Sequence, residues 1–222
     1  MITLALDLNG QLCVVVGGGL VAEHKARVLL EAGARVRVVS DALTPGLCSL
    51  RDAGQVEVVP RRYHPGDLVG AMLVVAATGQ PDVDAAVAAA AGGHQLVSVS
   101  GQPKLGNVHF TAEVCRGPLR IAISTDGASP ALAKRIRQDV ERVIGPEYAA
   151  LAELLAEVRE RVKGLPHLRQ AERAALFEQI VYGPALQLLA NGETEAARAS
   201  VEEMVGTGFA AARVTDLTRD PS

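Results

Sequence analysis

The sequence predicts an α/β fold, a parallel sheet wound on both sides and followed by a helical region, and three observations predict it. The apolar run Cys13-Val14-Val15-Val16 leads straight into Gly17-Gly18-Gly19 and then into a pattern with apolar positions at Ala22, Ala26, Leu29 and Leu30. That is a strand, a tight turn and a helix in order. Short apolar runs then alternate with helical patterns as far as residue 100, which implies parallel pairing. After Gly106 the alternation stops and helical stripes take over.

Ile2 to Leu8 reads as an extended entry segment, and Asn9-Gly10 marks a turn before the first core strand. The helix after the glycines closes at Gly33, a C-cap residue. Val36 to Val39 is a second buried strand, Leu43 to Ala53 a short helix, and Val56 to Val59 a third strand. Arg61-Arg62-Tyr63-His64-Pro65 is a polar loop. Met72 to Ala77 has the length and composition of a strand buried on both faces, and it ends at Thr78-Gly79-Gln80-Pro81. Asp82 to Ala91 follows as a helix and Leu96 to Ser100 as a further strand.

Beyond Gly106, His109-Phe110-Thr111-Ala112 and Val114 lead to an apolar strand over Leu119 to Ser124. Ser129 before Pro130 has the form of an N-cap with proline at the first helical position. The helix then runs through Leu132, Ile136, Val140 and Val143 to Gly145-Pro146. Tyr148, Leu151, Leu155, Val158 and Val162 mark one stripe, broken by Gly164-Leu165-Pro166. Leu176, Ile180, Leu188 and Leu189 belong to later helices around a break at Gly183-Pro184. Asn191-Gly192 turns into a last helix over Glu195 to Val205, and the polar tail beyond Ala212 is expected to fray.

At 222 residues, 49% of them hydrophobic, the chain holds one large domain, or a Rossmann-type domain with a smaller companion. A formal net charge of −3 argues against nucleic acid as the main partner. Cys13, Cys48 and Cys115 are widely separated and odd in number, show neither a disulfide framework nor zinc spacing, and fit a reducing cytoplasm. No metal ligand is assigned. No basic N-terminal region precedes a long apolar run, and no run reaches membrane-spanning length, so neither a signal peptide nor a membrane partner is expected. The expectation is a soluble, cytoplasmic protein.

Ligands of a doubly wound sheet sit at the carboxyl ends of its strands. Those ends are Gly17 to Ala22, Ser40-Asp41, Thr78-Gly79 and Ser100-Gly101. Gly17 permits a sharp turn, Gly19 lets the backbone approach a pyrophosphate, and Ala22 lets the helix press on the sheet. With Gly18, Leu20 and Val21 in the same turn, the helix offers free N–H groups and a positive dipole end to phosphates. Ser40 and Asp41 follow the second strand at the distance of the residue that bonds the ribose hydroxyls, and a carboxylate there favours NAD over NADP. Thr78 completes the candidate NAD-binding set. The alternative is a glycine turn without a ligand.

The run Val16-Gly17-Gly18-Gly19-Leu20-Val21-Ala22-Glu23-His24-Lys25-Ala26-Arg27, the strand end Ala76-Ala77-Thr78, and Ser124-Thr125-Asp126-Gly127-Ala128-Ser129-Pro130-Ala131-Leu132-Ala133 together resemble the precorrin-2 dehydrogenase and siroheme synthase N-terminal module family, over almost the whole chain. The resemblance implies an NAD-binding Rossmann-type domain over 1–112, a small central dimerisation segment over 113–146 and a C-terminal helical domain over 147–222. It implies a homodimer and NAD-dependent oxidation of precorrin-2, a tetrapyrrole, to sirohydrochlorin in siroheme biosynthesis; some members go on to insert iron.

The sequence departs from the family pattern in places. The family carries Asn-Val-Val-Asp where this chain has Ser98-Val99-Ser100-Gly101, so the carboxylate suited to acid/base work and chelation is missing at Gly101. Gly79-Gln80 replaces an acidic pair, and the family serine falls on Thr125, beside Ser124. The expected activity is therefore dehydrogenation, with iron insertion left to a separate chelatase. A bifunctional dehydrogenase/ferrochelatase and a non-catalytic tetrapyrrole or nucleotide carrier are the alternatives.

Thr125 and Ser124 are the candidate catalytic residues, and Ser124, Thr125, Ser129, His109 and Lys104 the candidate substrate contacts. A polycarboxylated substrate calls for cations, and Lys104, Arg116, Arg120, Lys134 and Arg135 flank the central segment. Ser129 reads equally as only the helix cap, and Asp126 as only a turn former. His109 reads either as a strand-edge residue bonded to a carbonyl or as a cleft residue, whereas His24, His64 and His94 are expected to face solvent.

Overall fold

The strand Leu12–Val16 (β1) lies at the centre of the first sheet, and its composition explains why: Val14, Val15 and Val16 are β-branched and Cys13 is small and apolar, so each face of the strand is fit for burial. The computed structural model describes residues 2–163 and 169–217, with backbone alone from 207 onwards. The chain divides into two units, Met1–Phe110 and Thr111–Ser222.

In the first unit β1 is followed by helix α1 (Leu20–Glu31), β2 (Arg35–Val39), α2 (Pro45–Asp52), β3 (Val56–Val59), β4 (Leu73–Ala76), α3 (Pro81–Ala90) and β5 (Leu96–Val99). The five strands are parallel in the order β3-β2-β1-β4-β5. The order reverses at β1, which pairs with β2 on one side and β4 on the other, and this is the switch point at which such sheets open a ligand crevice. Alternate residues of β1 build separate cores. Cys13 and Val15 pack with Ala22, Ala26, Leu29 and Leu47 from α1 and α2, whereas Val14 and Val16 pack with Leu68, Val74 and Val87. Burial pushes the Cys13 thiol up to about 11, so it stays a neutral core group.

Two boundaries differ from the sequence expectation for local reasons. The helix expected from Leu43 starts at Pro45, because the Thr44 Oγ accepts from the Leu47 N–H at 3.2 Å and caps it. The polar loop after β3 closes into a 3₁₀ turn over Pro65–Leu68, which buries Leu68 and Asp67.

The second unit opens with an antiparallel hairpin, β6 (Ala112–Arg116) and β7 (Leu119–Ile123), joined through Gly117 at φ +56°. The sequence shows only the second of these strands, because β6 carries Glu113, Cys115 and Arg116 and lacks an apolar run. Helices α4 (Pro130–Val143), α5 (Glu147–Lys163), α6 (Gln170–Tyr182), α7 (Ala185–Ala190) and α8 (Thr194–Leu217) follow. Leu151, Leu154, Val158 and Val162 of α5 pack with Leu176, Ile180, Leu189, Ala197 and Val201. The buried stripe of α5 thus takes Leu154 rather than Leu155, which lies half-buried at its side. The α8 helix continues past Val205 and Ala212 to Leu217, with no proline before Pro221 to stop it. The expected break at Gly164-Leu165-Pro166 lies outside the described residues. Among the described residues no helix is long and apolar enough to cross a membrane.

Candidate functional site

A cleft of about 560 Å³ opens at the switch point of the sheet. The turn Gly17–Gly19, the β2 end Ser40-Asp41, the β4 end Thr78, the loop residues Arg62 and Tyr63, and the first turn of α3 line it.

Close packing shapes the turn. Gly17 has φ +126°, and a Cβ there would lie 2.3 Å from the Ala77 carbonyl oxygen. A Cβ on Gly18 would lie 1.8 Å from the Ala42 carbonyl oxygen and 2.6 Å from the Ser40 Oγ. Gly18 is therefore the contact that lets the β2–α2 loop lie against the turn, and the Gly18 carbonyl accepts from the Thr44 N–H at 2.9 Å. Gly19 faces open space. It precedes α1, whose N-terminus has no side-chain cap, so first-turn N–H groups remain available to an anion. Leu20 and Val21 are exposed and do not line the cleft by their side chains; Ala22 is fully buried against the sheet.

The loop that presents Ser40 and Asp41 is held from beneath by a residue the sequence analysis did not single out. Glu23, on α1, accepts from the Thr44 Oγ at 2.6 Å and from Arg27 at 2.8 Å. These bonds, Thr44 first, hold its carboxyl below the usual carboxylate range. Its carboxylate lies on Gly46, where a Cβ would come within 1.9 Å of it, at the start of α2. Ser40 donates to the Ala42 carbonyl at 2.7 Å, which closes the loop on itself. No spacing signal marks a pair as distant in sequence as Glu23 and Thr44.

Thr78 is fixed in the same manner. Its Oγ donates to Asp84 Oδ1 at 2.7 Å and accepts from the Gln80 N–H at 3.0 Å, and its own N–H donates to Asp84 at 3.0 Å. Asp84 is 2% exposed. A buried carboxylate thus serves this strand end although Gly79-Gln80 supplies none; in sequence Asp84 reads as a polar position of a helix.

On the outer side of the cleft, Arg61 grips Asp67 through both carboxylate oxygens at 2.6 and 2.9 Å, and the His64 N–H adds a bond at 2.8 Å. Arg61 above all holds the Asp67 carboxyl below its usual range. Burial, then Asp67, pushes the Tyr63 phenol up. Arg62 Nε lies 3.3 Å from Asp41 Oδ2. His64 faces solvent as expected and also caps the 3₁₀ turn by accepting from the Gly66 N–H.

The candidates near the end of the first unit are arranged differently. Gly101 has φ +86°. Lys104 sits in a short exposed 3₁₀ turn, and His109 Nε2 donates to the Pro103 carbonyl at 3.0 Å. Of the two readings of His109, the carbonyl bond is present, but the residue lies ahead of β6 rather than in a strand.

In the second unit, Ser129 accepts from the Leu132 N–H at 3.1 Å and caps α4. Thr125 Oγ accepts from the Ser129 N–H at 3.2 Å, and Ser124 Oγ accepts from the Asp126 N–H at 3.1 Å. Asp126 adopts φ +49°, so it takes part in a turn. Of the candidate cations, Arg116 donates to the carbonyls of Glu141 and Ile144 at the end of α4 and to that of its neighbour Cys115, Arg120 pairs with Glu113, and Arg135 with Asp139.

Comparison with known proteins adds the lineage. Residues 4–112 match the family model described as putative NAD(P)-binding, 116–142 the sirohaem biosynthesis protein central model, and 147–205 the sirohaem synthase dimerisation region. The chain is 38% identical over 207 residues to a siroheme synthase of Chromobacterium violaceum, covering 92% of this chain and 44% of that protein. It is 39% identical over 206 residues to one of Pseudomonas aeruginosa, with the same coverage. It thus spans less than half the length of these curated relatives. The solved structure of SirC, a precorrin-2 dehydrogenase, superposes with a TM-score of 0.77 at 29% identity, over 91% of this chain and all of that one.

Proposed function

Because the chain belongs to the precorrin-2 dehydrogenase and siroheme synthase N-terminal module family, we propose that it catalyses the NAD-dependent dehydrogenation of precorrin-2 to sirohydrochlorin. The observation that carries this reading is the cleft at the switch point, where a bare glycine turn, an uncapped helix N-terminus and Asp41 converge. These residues fit a dinucleotide: Gly19 leaves room for the pyrophosphate, and Asp41 supplies the acceptor for ribose hydroxyls.

In this scheme NAD, when bound, supplies the hydride acceptor. Gly17, Gly18 and Gly19, with the backbone of Leu20, Val21 and Ala22, hold the phosphates. Ser40 and Asp41 hold the adenosine ribose. Thr78, fixed by Asp84, borders the other end. Lys104, His109, Ser124, Thr125 and Ser129 are assigned to the substrate, with Ser124 and Thr125 the candidate catalytic residues. The chain's main task is alignment, since extended conjugation in the product favours hydride loss.

Gly101 provides no carboxylate, so water takes the accompanying proton. If a family carboxylate acts as general base, its absence slows the step by roughly 10²–10⁴. Iron insertion must remove pyrrole protons while the metal is held, which a glycine cannot do, and a separate chelatase completes the pathway. The functional modules are 1–112, 113–146 and 147–222, the assembly is a homodimer, and the setting is cytoplasmic.

The test is to incubate the purified chain with precorrin-2 and NAD and to follow sirohydrochlorin and NADH absorbance together. Stoichiometric appearance of both is expected. No NADH would discard the dehydrogenase, and iron insertion into sirohydrochlorin without NAD would instead establish the bifunctional enzyme.

A further inference from the structure

We propose that Arg62 lets the cleft accept a 2′-phosphorylated coenzyme, so that the chain binds NADPH within about tenfold of NADH. The inference rests on the nucleotide reading of the cleft and concerns its adenosine end.

An acid at the end of β2 bonds the ribose hydroxyls of NAD, whereas an arginine nearby receives the 2′-phosphate of NADP. Here both are present and in contact. Asp41 and Arg62 line the same cleft, and Arg62 Nε lies 3.3 Å from Asp41 Oδ2. Sheet order brings them together. β3 is the outer neighbour of β2, with Val39 in register with Val59, so the chain leaving β3 passes the β2 end. A lone carboxylate would repel a 2′-phosphate, but the guanidinium beside it cancels that charge where the phosphate would arrive.

The backbone around Arg62 is held, while its side chain is exposed and, among the described residues, bonded only at Nε to Asp41. Arg61 on one side grips Asp67 through both carboxylate oxygens, and the His64 N–H on the other bonds the same carboxylate, which is 7% exposed. Arg62 itself is 92% exposed. Its bond to Asp41 uses Nε, and the Nη groups carry the fork that suits a phosphate. Turning from carboxylate to phosphate displaces only water. With NAD the ribose diol takes Asp41 and Arg62 moves into solvent; with NADP the phosphate takes Arg62.

Titrate the full chain with NADH and with NADPH, following the fluorescence of the reduced nicotinamide, for the native protein, Arg62→Gln and Asp41→Asn. The native affinities are expected to lie within about tenfold of one another. Arg62→Gln should weaken NADPH by about tenfold while moving NADH by less than about threefold. Asp41→Asn should weaken NADH and leave NADPH equal or tighter. Added salt should weaken NADPH more steeply than NADH, because a 2′-phosphate held by an exposed guanidinium is screened. NADPH weaker than NADH by more than about tenfold in the native protein, or an equal loss for both in Arg62→Gln, overturns the inference and leaves the NAD reading standing. If neither coenzyme binds, the nucleotide reading itself falls.

Discussion

The glycine turn of the first unit and the Ser124–Pro130 loop of the second hold the chain's most distinctive runs, and the fold treats them in opposite ways. At the turn, atoms without side chains are packed tightly while hydrogen-bond donors are left over: Gly17 and Gly18 touch neighbouring carbonyls, yet α1 begins without a side-chain cap. In the loop the polar groups satisfy one another, Thr125 with Ser129, Ser124 with Asp126, and Ser129 with the Leu132 N–H. A place prepared for a ligand leaves its donors to the ligand. A loop that binds itself must give up those bonds before it holds anything else, so within its own unit it acts as a helix cap.

Gly18→Ala tests the turn with the largest expected effect. The added methyl would sit 1.8 Å from the Ala42 carbonyl oxygen, so the whole β2–α2 loop must move. Overpacking of this kind costs about 3 kcal/mol or more. The expected result is a lower melting temperature and loss of NADH binding. Gly19→Ala is the control, because its methyl meets open space: the melting temperature should hold while NADH affinity falls. If both variants melt alike, the packing account of the turn is wrong.

Next in size is the staple beneath the ribose loop. Glu23→Gln weakens the bonds from Thr44 and Arg27 without changing shape, and NADH affinity should fall by about tenfold with the fold intact. The sign with pH follows from the lowered carboxyl of Glu23. A group whose folded value lies below its ordinary one, about 4.3, contributes fully above that ordinary value. That contribution is lost as pH falls through the folded value. NADH titrations should therefore give a constant affinity from pH 8 to about 5. A decline starting near neutrality would point to some other group.

Ser129→Ala moves the comparison to the second unit. Loss of an N-cap costs about 1 kcal/mol, read as a lower denaturation midpoint, and NADH binding to the first unit should not change. A fall in NADH affinity would show that the capped helix supports the cleft.

How far the sequence announced all this depends on the range of the interaction. The strands of the first sheet, the turn and the Ser129-Pro130 cap rest on neighbouring residues, so apolar runs, glycines and a serine before proline disclose them. Glu23 with Thr44, Thr78 with buried Asp84, and Asp41 with Arg62 depend on which strand ends lie side by side, which the local pattern does not encode. Strand β6 is hidden in the sequence for another reason: a hairpin with one solvated face carries charge in the positions where a buried strand carries valine. The chemistry of the cleft was legible as a motif; the groups that hold the motif in place were not.

The smallest effect is the one that best separates the two roles of the loop. Ser124 is exposed, and its Oγ accepts from the Asp126 N–H at 3.1 Å within a turn whose Asp126 and Gly127 both have positive φ. In Ser124→Ala, water replaces the lost acceptor at the surface, and the change in stability should stay within about 0.5 kcal/mol. Steady-state kinetics then decide the matter. If Ser124 holds a substrate carboxylate through binding that persists unchanged into the transition state, KM for precorrin-2 should rise several-fold with kcat unmoved. A fall in kcat at constant KM would place Ser124 at the reacting carbon, because only a contact made in the transition state behaves so. If neither constant moves, the hydroxyl serves the turn alone, and the substrate role assigned to this loop passes to Thr125 and Ser129.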